Sequence, residues 1–149
     1  MAKAIVIYES KWGNTKKVAD AIIEGMAGLE VIQKEIKEVT PQEAAGYDVI
    51  ILGSPNHMGG QVGSIKKFID ELGKLNVKGK YAAVFDTYMM MDVSKAVNKM
   101  EKQIADKVPG LKLAAPGLSV KVGGMKGPIV EGELPRAKEF GEKIAKAIK

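Results

Sequence analysis

Residues 3–22 read KAIVIYESKWGNTKKVADAI, and this stretch decides the fold. Lys3–Glu9 is a short run built on the β-branched residues Ile5, Val6 and Ile7, as expected of a strand covered on both faces. From Thr15 to Ala27 the apolar residues Val18, Ile22 and Met26 recur at the spacing of one helical face. Between them lies a polar loop, Ser10 to Thr15, with Gly13 inside it. Strand, loop and helix in direct succession make the opening of a βα unit.

The alternation continues to the end of the chain. Leu29–Ile36 reads as a second strand with alternating faces. Thr40-Pro41-Gln42-Glu43 has the form of a capping box with proline at the first helical position. The helix it opens must be short, because Gly46 intervenes before the apolar run Asp48–Leu52. Gly63–Leu72 sets Ile65, Phe68, Ile69 and Leu72 on one face, and Lys80–Asp86 is strand-like again. Val93–Lys107 places Val93, Val97, Met100 and Ile104 on one stripe. Leu118–Val122 is the expected last strand, broken at Pro116-Gly117 if it begins near Leu111. Leu134–Ile148 closes the chain, with Leu134, Ala137, Phe140, Ile144 and Ile148 inward. Alternating βα units with apolar central strands predict the α/β class: one doubly wound domain over residues 1–149, a parallel sheet with helices on both faces.

Composition removes several kinds of chemistry. The chain has 149 residues, 46% hydrophobic and 28% charged, as in globular proteins. No apolar run approaches ~18 residues, so no membrane insertion is expected. The start of the sequence shows no charged-then-apolar leader, which gives a cytoplasmic expectation. With no cysteine there is no thiolate metal site and no cysteine nucleophile. A single histidine, His57, excludes a histidine-built metal cluster. The net charge of +5 suits an acidic partner, although a lysine-rich solvated surface is the better explanation for most of it. No nucleic-acid partner is expected.

In a doubly wound fold, ligands bind outside the carboxyl ends of the strands, where strand order reverses. The loops there are Ser10–Thr15, Ser54–Val62 and Thr87–Asp92. The first suits a phosphate dianion, because helix-start N–H groups are unpaired and the helix dipole favours negative charge. Ser10 and Thr15 add hydroxyl donors, Asn14 an amide donor, and Gly13 lets backbone approach the oxygens. The same residue types also make an ordinary helix cap. The dinucleotide pattern G-x-G-x-x-G and the ATP-binding pattern G-x-x-x-x-G-K-[ST] are both missing.

Val6-Ile7-Tyr8-x-Ser10-x-x-Gly13-x-Thr15-x-x-x-Ala19-x-x-Ile22 resembles the phosphate-loop signature of the flavodoxins at each defined position. Gly53-Ser54-Pro55, Phe85-Asp86-Thr87 and Gly127-Pro128 are similar to the family's other loops, so the resemblance covers essentially the whole chain. No inserted loop splits the last strand, as in the short-chain flavodoxins. Trp12 departs from the threonine common at its position, and Ser-x-Trp is closer to the flavin domains of flavodiiron proteins.

The resemblance implies a five-stranded sheet in the order 2-1-3-4-5 and a flavin mononucleotide (FMN) cofactor. It implies that Ser10, Lys11, Trp12, Gly13, Asn14 and Thr15 hold the phosphate. The ring would lie between Pro55-Asn56-His57-Met58-Gly59-Gly60 and Asp86-Thr87-Tyr88-Met89. Met58 resembles the methionine that packs on the ring. Gly59 resembles the glycine whose peptide turns its carbonyl toward the flavin N5–H once one electron has arrived. Gly60 replaces the family's acidic residue. Tyr88 is the first candidate for ring stacking, Met89 the second, and Trp12 a contact at the ring edge. A one-electron carrier between redox partner proteins with acidic docking surfaces, as a monomer or weak dimer, is the function implied. An FMN-dependent NAD(P)H:quinone or flavin reductase is the alternative. A phospho-receiver shares the strand order, but Gly53-Ser54-Pro55 stands where its acceptor aspartate is required.

Overall fold

A computed structural model describes residues 2–124 and 126–148. Strand β1 (Lys3–Tyr8) leads into helix α1 (Asn14–Gly25), and β2 (Glu30–Glu35) follows. A 3-10 turn (Ile36–Glu38) and the one-turn helix α2 (Pro41–Ala44) connect β2 to β3 (Val49–Pro55). Then come α3 (Gly63–Leu72), β4 (Tyr81–Tyr88), α4 (Lys95–Lys107), β5 (Lys112–Leu113), β6 (Leu118–Lys121) and α5 (Glu133–Ile148).

The sheet runs β2-β1-β3-β4-β5, all parallel, with β6 also paired to β4. β5 and β6 are two halves of one edge line: β5 pairs with Tyr81 and Ala82, β6 with Phe85 to Tyr88. The break falls at Pro116-Gly117, where the Gly117 N–H leaves the ladder and donates to Glu101 Oε2 on α4 at 2.9 Å. The expected order 2-1-3-4-5 is therefore correct, with its fifth position split.

Side-chain alternation along the central strands builds two cores. Ile5, Ile7, Ile50, Leu52, Ala82 and Val84 face α3 and α4, meeting Ile65, Phe68, Leu72, Val97, Met100 and Ile104. Ala4, Val6, Val49, Ile51, Ala83 and Phe85 face α1 and α5, meeting Val18, Ile22, Ala137, Phe140 and Ile144. α1 and α5 approach so closely that a Cβ on Gly141 would lie 2.0 Å from the Ile22 carbonyl oxygen.

Two expected core positions are corrected. Val93 is 53% exposed because Ser94 takes a left-handed conformation (φ 61°) and α4 begins only at Lys95. Leu134 is exposed as well, lying in the first turn of α5. The Thr40 cap forms, its hydroxyl accepting from Glu43 N at 3.2 Å, but the Glu43 carboxylate returns to that hydroxyl rather than to the backbone.

Candidate cofactor-binding site

Strand order reverses at β1: the chain leaves it for β2 on one side and returns to β3 on the other. The loops after β1 and β3 therefore diverge and leave a crevice at their carboxyl ends. A cavity of about 570 Å³ occupies it, within the usual range for a small-molecule site. Ser10, Lys11, Trp12, Asn14, Thr15, Pro55, Asn56, His57, Met58, Thr87, Tyr88 and Met89 line it, so all three expected loops meet there.

The loops are tied to one another. Asn56 N donates to Thr87 O at 2.7 Å, and Asn56 Nδ2 donates to Asp92 Oδ2 at 2.9 Å. Thr15 Oγ1 and Thr87 Oγ1 lie 3.3 Å apart, joining the first loop to the third. Ser64 Oγ donates to Glu9 Oε1 at 2.6 Å, fixing the first loop to the start of α3.

The phosphate end is prepared in four ways. Gly13 takes φ 88° at the N-cap of α1 with no side-chain cap, so the first turn keeps free N–H donors. No acidic residue stands in that turn. Among the described residues, the only buried side-chain polar atoms without a hydrogen-bond partner are Ser10 Oγ and Asn56 Oδ1, and both residues line this cavity. A buried polar atom left unpaired costs roughly 1–3 kcal/mol, which a ligand with acceptor oxygens at Ser10 offsets. Lys11 Nζ and Lys126 Nζ lie 5.4 and 5.0 Å from the Trp12 ring centroid, adding positive charge at the same end.

At the other end, residues 57–60 form a tight two-residue turn. His57 N donates to Gly60 O at 2.7 Å and Gly60 N to His57 O at 3.1 Å. Met58 (φ 52°) and Gly59 (φ 85°) both sit in the left-handed region, as in a primed hairpin turn. This conformation is cheap for Gly59 but costs Met58 about 1–2 kcal/mol. The Met58 side chain stands at the rim, 93% exposed. Tyr88 is half-buried, and burial, then the nearby Glu133, raises its phenol above the usual range.

Four expected residues are not on the wall. Gly13 and Gly59 give their loops positive-φ turns without lining the cavity, and Gly60 lines a neighbouring groove. Asp86 lies behind the wall. It is fully buried under the third loop, with Oδ1 accepting from Ser119 Oγ at 2.6 Å and Oδ2 from Val97 N at 3.0 Å. Burial raises its carboxyl from 3.8 to about 6, against the opposing hydrogen bonds. Glu9, Val62, Gly63, Asp92 and Val122 complete the lining. Glu9, Val62 and Asp92 lie in or beside the loops picked out from sequence; only folding brings Val122 and Lys126 to them.

Fold and site define a doubly wound α/β protein with a phosphate-ready cavity at its switch point. A family model described as a flavodoxin domain matches residues 5–121, and the chain belongs to the flavodoxin family. It is similar to a flavodoxin of Aquifex aeolicus (strain VF5), 38% identical over 93 residues. That alignment covers 58% of this chain and 50% of that protein, so it spans half the length of this curated relative. Among solved structures it resembles a flavodoxin from the domain Archaea, with a TM-score of 0.83 at 27% identity over 99% of both chains. The rubredoxin:oxygen oxidoreductase of Desulfovibrio gigas shares the fold, with a TM-score of 0.82 at 18% identity over 98% of this chain and 36% of that one. FMN is the cofactor of the family.

Proposed function

We propose that all 149 residues form one FMN-binding unit that carries single electrons between redox partner proteins. The observation that carries this reading is the unpaired Ser10 hydroxyl, buried on a cavity wall beside an uncapped helix start. Ser10, Thr15 and the first-turn N–H groups would hold the phosphate, with Asn14 behind them and Lys11 and Lys126 supplying charge. Met58 and Tyr88, with Met89 and Trp12 at the margins, would enclose the ring and exclude water. Asn56 Oδ1 offers an acceptor inside the cavity, its amide nitrogen being committed to Asp92. Bound FMN supplies the redox chemistry, and the protein orients it and adjusts its potentials. The carrier is read as a cytoplasmic monomer or weak dimer.

The test is titration with FMN and with riboflavin. The phosphate forms charge-assisted hydrogen bonds of roughly 1.5–3 kcal/mol each, so riboflavin should bind at least a hundredfold more weakly. Ser10→Ala should weaken FMN about tenfold or more, yet leave the apoprotein as stable or more stable, because it removes an unpaired buried group. Equal affinity for the two flavins overturns the site assignment. Rapid NAD(P)H oxidation by the FMN-loaded protein overturns the carrier in favour of a reductase.

A further inference from the structure

We infer that the groove between α3 and α4 is a docking site for an extended acidic segment of a partner protein. The inference deepens the carrier reading and rests on it for the partner's redox role. A second depression of about 410 Å³ adjoins the cofactor cavity and shares His57 and Met58 with it. Lys66, Lys99, Lys102 and Lys107 line it, against one carboxylate, Asp106. All four lysines are exposed, and among the described residues none of them makes an ion pair.

The floor is rigid. Gln61 Nε2 donates to Gln103 Oε1 at 2.8 Å, while Gln103 Nε2 donates to Lys66 O at 2.7 Å and to Asp70 Oδ1 at 2.9 Å. These bonds lock α3, α4 and the end of the second loop together, so a ligand meets a preformed surface. Lys99 also lies over the 57–60 turn: a Cβ on Gly60 would meet Lys99 Cδ at 3.0 Å.

The spacing of charge selects the occupant. Lys99 to Lys107 extends roughly 12 Å along α4 at ~1.5 Å per residue. Ammonium groups spread over that length do not converge on one phosphate, and no arginine fork lines the groove. An extended chain places same-face side chains about 7 Å apart, so alternate carboxylates can meet successive lysines. At the inner end the exposed Met58, which also lines the cofactor cavity, offers an apolar contact.

The experiment is an amide-shift titration of the 15N-labelled, FMN-loaded chain with an end-capped glutamate octapeptide ending in leucine. Shifts should concentrate in residues 57–61, 66 and 99–107, and binding should weaken steeply with added salt. Lys99→Glu/Lys102→Glu should lower affinity about tenfold or more, while Lys138→Glu/Lys146→Glu on α5 should change it less than about twofold. Equal losses in the two variants, shifts spread over all lysine-rich surfaces, or no binding at low salt would each overturn the groove. So would tighter binding of NADPH than of peptide at the same amides, which would make it a nucleotide site. Flavin absorbance keeps the two readings apart. FMN retained without peptide binding removes only the groove, whereas failure to take up FMN removes the carrier reading.

Discussion

Asp86 shows how one residue can read as a ligand in sequence and serve a different purpose in the fold. It lies near the end of β4, before Thr87 and Tyr88, and its carboxyl points into the core, where it organises the turn into α4. Ser119 Oγ, held by Asp86, in turn accepts from Ser94 N at 2.8 Å, so the left-handed Ser94 depends on this chain of bonds. The folded state holds the proton up to about pH 6, whereas the unfolded carboxyl releases it near 3.8. Between those values the native state binds more protons, so stability from this group is full below about pH 4 and lost as pH rises through 6. The loss should approach about 3 kcal/mol at neutral pH. Urea unfolding at several pH values should show this slope in the wild type and not in Asp86→Asn. Parallel pH profiles for the two proteins would remove the assignment.

At the scale of elements, the 57–60 turn is where sequence and backbone pull against each other. Its two central residues have positive φ, and only one of them is glycine. Gly59→Val places a β-branched side chain at φ 85°, a conformation that costs about 1–3 kcal/mol to hold, so the turn is strained as it stands. The phosphate loop is untouched by this change. Oxidised FMN should therefore still bind through its phosphate, while the strain added to the turn shifts the first-electron potential. A redox titration of Gly59→Val with an unaltered first potential would show that this peptide does not respond to reduction.

Across the whole molecule, the balance of charge is the distinctive feature. The chain carries +5 overall, and Lys11 and Lys126 stand at the phosphate end. Glu9 and Asp92 also line the cavity, but Asp92 is paired with Lys95 at 2.8 Å, which leaves its net field small. A unit charge ~10 Å from the ring at an effective dielectric of ~20 contributes roughly 1.7 kcal/mol, or about 70 mV for one electron. Surrounding lysines stabilise the negative charge gained on reduction, so the second-electron potential should be less negative at low ionic strength than at high. It should fall steadily as salt screens the lysines. A low potential that is insensitive to ionic strength would show that Glu9 outweighs them.

Residue pattern alone specifies the order of elements, the parallel sheet and the three loops that meet at its carboxyl edge. Those follow from local periodicity and loop chemistry, which act over a few residues: Ile5-Val6-Ile7, the Ser10–Thr15 loop and the stripe Ile65–Leu72 needed no partner to be read. Direction and exposure were decided by packing. Whether Asp86 faces the ligand or the core depends on where α4 begins, and that depends on Ser94 and on Ser119 from a strand that joins later. Val93 was placed inward by spacing alone and turned outward by the same left-handed residue. The groove of lysines combines α3, α4 and the second loop, whose residues lie up to about 50 positions apart, and no local pattern carries that information. Periodicity specifies which face of an element is buried; only the docking of elements against one another specifies what the remaining faces meet.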